Sequence, residues 1–138
     1  MRTKKMQLNP KRMVELQYIK LADKSRVRLI GIDLTIERDL VFNSEEDTHL
    51  VRLQEEFHLP KNVFAILYPR STMFRMGFII QCGVVEPGYS GRPVILIHHP
   101  AVKADYIKLD KDASVVQAIF YRANSEGMYS GKYQGEGL

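Results

Sequence analysis

The chain contains a single cysteine, Cys82, which excludes an internal disulfide framework and suits a reducing compartment. It has no apolar run near the roughly 18 residues that a membrane helix needs. Its start, Met1 to Asn9, lacks the apolar stretch of a secretory signal. No internal repeat and no low-complexity tract interrupts it. These absences predict a cytoplasmic protein without a membrane partner. Cys82, His98 and His99 come without any paired-ligand spacing, and His98 and His99 fall on opposite faces of a strand, so no metal held by the protein itself is expected.

What is present is ordinary for a soluble globule. The 138 residues and 15.9 kDa suit one domain spanning residues 1–138. A hydrophobic share of 45%, a charged share of 26% and a mean hydropathy of −0.22 argue against a disordered or collagen-like chain. The excess of 20 Lys and Arg over 16 Asp and Glu gives a net charge of +4 and a pI near 9.2, which favours anionic partners in general. The basic run Arg2, Lys4, Lys5, Lys11 and Arg12 reads as a solvated surface, and nucleic acid is not an expected partner.

The periodicity is that of an all-β domain. Asn9-Pro10 caps one short helical turn with Met13, Val14 and Leu16 on its apolar stripe. From Arg26 the period changes to two, with Ile30, Ile32, Leu34 and Ile36 on one buried strand face. Asn43 to Asp47 is a surface turn. Further strands are predicted at His49–Leu53, Phe57–Leu59, Val63–Tyr68, Phe78–Gln81, Val94–His98, Tyr106–Leu109 and Val115–Tyr121, separated by turn signals such as Pro87-Gly88 and Asp110 to Asp112. Ser71 to Met76 fits a single helical turn between strands. Many short strands at close spacing describe a closed or sandwiched β fold. Residues 125–138 hold four of the nine glycines, carry no apolar period, and are expected to form a flexible C-terminal arm.

Four segments make poor sense as packing alone. In Gly31-Ile32-Asp33-Leu34, a glycine and a carboxylate share one face of an apolar strand, and a buried aspartate needs a partner or a wet site. In Pro69-Arg70-Ser71-Thr72, a guanidinium and two hydroxyls meet at a strand-to-turn junction, a donor set that suits a phosphate. Cys82 to Arg92 reads as a hairpin around Pro87-Gly88, with Glu86 before the turn and Tyr89 after it. The last is Tyr129 to Gly137, whose tyrosines, lysine and glutamine are spaced by glycines like a lid that orders on binding.

In this order, together with Ala113-Ser114-Val115-Val116-Gln117, these segments resemble the five motifs of the trimeric dUTPase and dCTP deaminase superfamily, over the chain from about Ile30 to its end. No single motif is specific; their order and spacing are. The style of Arg-Ser-Thr-Met-Phe-Arg-Met-Gly and Tyr-Gln-Gly-Glu-Gly looks most like deaminase-like dUTPases of archaeal or viral type. The resemblance implies a distorted jelly-roll β-barrel and a homotrimer with shared sites: motif two from one subunit, the Glu86 hairpin from a second, the tail from a third. It implies phosphate contacts from Arg70, Ser71, Thr72, Arg75, Gln117, Tyr129 and Lys132, with Asp33 as the first-motif carboxylate. Gly83 and Val84 would read the base edge, Tyr89 would stack on the deoxyribose, and Glu136 stands where deaminases often carry a pyrimidine-reading glutamine.

The two chemistries of the superfamily ask for different residues. The resemblance places the deaminase glutamate at position 96, which is Leu96 here, and a leucine cannot carry a proton. The water-activating carboxylate of a dUTPase falls on Glu86, where the family usually has aspartate. One extra methylene moves that carboxylate by roughly 1 Å, a displacement that can cost about a hundredfold in rate. The implied activity is hydrolysis of dUTP to dUMP and pyrophosphate, with Mg²⁺ held mainly through the phosphates and water. Its alternatives are a dCTP deaminase and a non-catalytic, regulatory nucleotide-binding homologue.

Overall fold

The computed structural model describes residues 6–100 and 105–138. Of the basic N-terminal run, Arg2, Lys4 and Lys5 lie outside the described residues, while Lys11 and Arg12 are exposed on the first helix.

That helix, α1 (Pro10–Glu15), starts where proline can occupy the first turn without losing a hydrogen bond, and the Asn9 side chain accepts from the Arg12 N–H. It buries only Pro10 and Met13. The strands follow as β1 (Ile19–Lys20), β2 (Arg26–Val27), β3 (Ile32–Thr35), β4 (Leu40–Phe42), β5 (Thr48–Arg52), β6 (Glu56–His58) and β7 (Val63–Pro69). After the short helix α2 (Ser71–Arg75) come β8 (Ile79–Gln81), β9 (Val84–Val85), β10 (Ser90–Gly91), β11 (Val94–His98), β12 (Ile107–Leu109) and β13 (Ser114–Arg122).

All described pairings are antiparallel. The largest sheet runs β2-β3-β13-β7-β9; β5-β11-β8, β1-β6-β10 and β12-β4 complete the set. The nine-residue β13 is the centre of the fold, because its alternating Val116, Ala118 and Phe120 are fully buried between β3 and β7. Phe57 stacks near Phe120, and Phe42 meets Phe78 edge-on, each large ring contributing roughly 1.5–3 kcal/mol by burial.

Three expectations are corrected. The strand expected from Arg26 is two strands: the Arg28 N–H bonds to the Gly31 carbonyl and closes a turn, leaving Leu29 97% and Ile30 50% exposed. All four residues of β3 are buried, so it has no solvent face. The segment around Pro87-Gly88 has the expected turn, with the Tyr89 N–H on the Glu86 carbonyl and Gly88 at φ +85°. Its arms do not pair with each other, however: β9 joins β7 and β10 joins β6, so the turn crosses between sheets.

Candidate functional site

Most of the sequence-predicted residues gather at two places that share no lining residue. The first is a cavity of about 240 Å³ bounded by Leu67, Gly83, Val84, Glu86, Tyr89 and, from the tail, Glu136. That is below the roughly 300–1,000 Å³ of sites for whole small molecules, so the cavity is small. The strand β9 brings Val84 to it, with Gly83 just before the strand, and the Gly83 carbonyl is already taken by the Leu67 N–H at 3.0 Å. Cys82, next to it, donates to the Leu67 carbonyl, and burial pushes its thiol up to about 11, so it stays protonated at neutral pH. Glu86 is exposed at the rim.

The tail closes one side of this cavity. The Tyr129 N–H bonds to Pro87 O at 2.7 Å, the Gly135 N–H to Ser90 O at 2.7 Å, and the Arg92 N–H to Glu136 O at 2.8 Å. Gln134 bridges the Ser90 N–H and the Gly88 carbonyl. The Pro87-Gly88 turn and the tail therefore meet within one chain, where the resemblance implied that they come from separate subunits. Main-chain hydrogen bonds hold the tail although residues 132–137 form turns rather than a strand, so no apolar period is needed to dock it.

Tyr89 is buried, and its hydroxyl donates to Glu136 at 2.8 Å while Arg52 lies 3.4 Å from the other Glu136 oxygen. Burial first, and then the neighbouring carboxylate, raise the Tyr89 hydroxyl well above the ordinary tyrosine value. Glu136 thus lines the cavity with its carboxylate engaged. Tyr129 and Tyr133 also line it, so Tyr129, expected among phosphate contacts, lies at this cavity and not beside Arg70. Lys132 is exposed and lies over the Tyr133 ring at 5.7 Å; it lines neither place.

The second place surrounds Arg70. Asp33, 3% exposed at its side chain, receives Arg28 Nε at 2.7 Å on one oxygen and Arg70 Nε at 3.4 Å on the other. The register of β13 sets Gln117 opposite Asp33. Gly31 is required there: a Cβ would lie 2.6 Å from the Ala118 carbonyl and 2.8 Å from Gln117 Cγ. Arg70, Ser71, Gln117 and Asp33 line one cleft of about 640 Å³. A second cleft of the same size continues past Arg28, Asp33 and Arg70 to Ser114, whose buried hydroxyl has no partner among the described residues. Thr72 and Arg75 are exposed on α2 and line neither cleft.

Sequence reasoning missed Arg28, Arg92 and Arg52, and named Gln134 only as part of the glycine-spaced tail. Arg28 was readable in principle, since a buried Asp33 demands a cation and Arg28 stands five residues before it. The others act through the fold-back of the tail, which leaves no periodic signal.

A family model described as dCTP deaminase-like matches residues 23–123. The deoxyuridine 5′-triphosphate nucleotidohydrolase of Methanocaldococcus jannaschii is 34% identical over 106 residues, covering 69% of this chain and 64% of that protein. The chain thus spans less than two thirds of this curated relative. Among solved structures, the 2′-deoxycytidine 5′-triphosphate deaminase of Agrobacterium tumefaciens superposes with a TM-score of 0.72 at 15% identity, over 85% of this chain and 49% of that one. A native EIAV dUTPase gives 0.59 at 22% identity, over 84% and 92%. At these identities the likeness is one of fold, and it is the jelly-roll expected from the sequence.

Proposed function

Because the chain belongs to the dCTP deaminase-like family, we propose that it hydrolyses dUTP to dUMP and pyrophosphate, with Glu86 activating the attacking water and the Arg70 wall holding the triphosphate. The observation that carries this choice over deamination is the pair Glu86 and Leu96. Glu86 presents a carboxylate at the rim of the small cavity. Leu96, at the deaminase position, is a β11 residue paired with Leu50 and Gln81 and offers no proton. The curated relative of Methanocaldococcus jannaschii, whose name gives the same hydrolysis, supports this reading.

In this mechanism Tyr89 and β9 seat the sugar and base, and the tail covers them and excludes water. Glu86 takes a proton from a water as its oxygen bonds to the α-phosphorus; the bond from that phosphorus to the bridging oxygen breaks, and its electron pair leaves with pyrophosphate. Arg70, Ser71 and Gln117 hold the phosphates in line, and Asp33 fixes the Arg70 edge.

Among the described residues no group of three or more His, Cys, Asp or Glu is placed to hold a metal. The polar groups around Arg70 are guanidiniums, the Ser71 hydroxyl, the Gln117 amide and an Asp33 carboxylate already paired to two arginines, which fit a magnesium brought in on the triphosphate and do not fit a protein cage. When bound there, magnesium neutralises phosphate charge.

We further propose a homotrimer in which the Arg70 wall of one copy faces the Glu86 turn and tail of another. Two observations support it: the separation of the two half-sites, and the apolar rim of Leu29, Ile30 and Phe74 (59% exposed) on a cleft whose other walls are mostly polar or charged.

The test is to incubate the protein with Mg²⁺ and either dUTP or dCTP and separate the products. Pyrophosphate and dUMP from dUTP are expected. Ammonia from dCTP contradicts the reading in favour of deamination, and tight dUTP binding without turnover contradicts it in favour of a regulatory role.

A further inference from the structure

Arg28 has no counterpart among the residues assigned above, yet it lies on both clefts beside Arg70. From the geometry we infer that Arg28 is a second triphosphate-binding cation, aligned with Arg70 by the shared carboxylate of Asp33; this rests on the nucleoside triphosphate reading of the site.

The argument begins with charge. Asp33 is buried and paired to Arg70, so these two alone form a neutral pair with little pull on an anion. Arg28 makes the group net positive. Its bond to Asp33 is the shorter of the two, 2.7 Å against 3.4 Å, so Arg28 neutralises the carboxylate and leaves the Arg70 charge less compensated.

Geometry adds to this. Each arginine meets Asp33 through Nε, the edge that leaves both terminal nitrogens of the fork for another acceptor. Arg70 spends one of them on the Ser114 carbonyl at 3.4 Å; among the described residues Arg28 spends neither. Arg28 is also 45% exposed at its side chain, open to a ligand while one edge is held. The turn that carries it is closed by its own N–H on the Gly31 carbonyl, and Gly31 is pinned against β13, so the guanidinium sits on a fixed base. An arginine held by a buried carboxylate has already lost part of its side-chain freedom, which lowers the cost of binding phosphate. Lys24 and Arg26 extend the positive field along the same cleft.

A purely structural role for Arg28 predicts a different response, and the phosphates separate the two. Wild type, Arg28→Gln and Arg28→Lys are titrated by calorimetry with inorganic tripolyphosphate and, separately, with deoxyuridine, in the presence of Mg²⁺. The expected result is a tripolyphosphate affinity lowered roughly tenfold or more in Arg28→Gln, partly restored in Arg28→Lys, with deoxyuridine affinity unchanged in both. Unchanged tripolyphosphate affinity overturns the inference, as does an equal loss for both ligands, which marks damage to the fold. A wild type that binds tripolyphosphate through Arg28 but leaves dUTP intact upholds the inference and overturns the proposed hydrolysis.

Discussion

Tyr89 and Glu136 stand 47 residues apart in the chain and meet through a 2.8 Å hydrogen bond that ties the C-terminal tail to the Pro87-Gly88 turn it covers. Glu136 is 19% exposed at its side chain and is also drawn toward Arg52, so the contact is partly shielded from water. Hydrogen bonds to charged groups of this kind contribute roughly 1.5–3 kcal/mol. Tyr89→Phe is expected to keep the ring and lose the tie. Hydrogen exchange should then speed up at Tyr129, Gly135 and the Arg92 N–H, with little change in the β13 core. Unaltered exchange along the tail would mean that the backbone bonds alone hold it.

A second consequence concerns the turn below the tail. Gly88 has φ +85°, and a Cβ there would lie 2.6 Å from Met128 Cβ and 2.9 Å from the Tyr129 nitrogen. Gly88→Ala therefore combines backbone strain of about 1–3 kcal/mol with a collision against the tail. The expected outcome is a clear loss of Tm together with faster proteolysis of residues 125–138. Gly83→Ala is the control for stability, since a Cβ at Gly83 meets nothing within 4 Å; its Tm should shift little.

The buried Glu55 makes stability depend on pH. Its carboxylate accepts from the Thr35 N–H, the Thr35 hydroxyl at 2.8 Å and the Ser25 hydroxyl at 2.5 Å, and it is fully shielded from solvent. Burial raises its pKa from the ordinary 4.5, and those hydrogen bonds oppose the rise. The folded state then holds the proton more tightly than the unfolded chain, so this group's contribution falls as pH rises from about 4.5 through the raised folded value. Glu55→Gln removes that dependence while turning an amide donor toward hydroxyl and N–H donors, which makes it less stable at low pH. The stability gap between wild type and variant, measured by denaturant unfolding, should narrow as pH rises through this window. A widening gap would reverse the assigned sign.

Much of this was legible in the sequence because alternation and turn chemistry report directly on burial. Val94–His98 was read with its observed bounds, and Ser71–Met76 contains α2. The misses have physical causes. Arg26 to Ile36 alternates like one strand, yet the Arg28–Gly31 turn breaks it, a backbone bond that hydrophobic periodicity does not register. The two-residue strands β1, β2, β9 and β10 are too short to show a period. At the site, residue types were readable and partnerships were not: Asp33 called for a cation, and the fold supplied two. The tail offered no apolar signal because its docking uses main-chain groups and the Tyr89–Glu136 bond.

The central claim is that Glu86 activates water for dUTP hydrolysis, and the most direct measurement is dUTP turnover by wild type and Glu86→Gln, with dUTP affinity determined on the same samples. The account predicts dUMP and pyrophosphate from wild type, turnover lowered by about a hundredfold or more in Glu86→Gln, and an affinity that is largely kept. Turnover by Glu86→Gln at the wild-type rate would contradict it and place the base elsewhere.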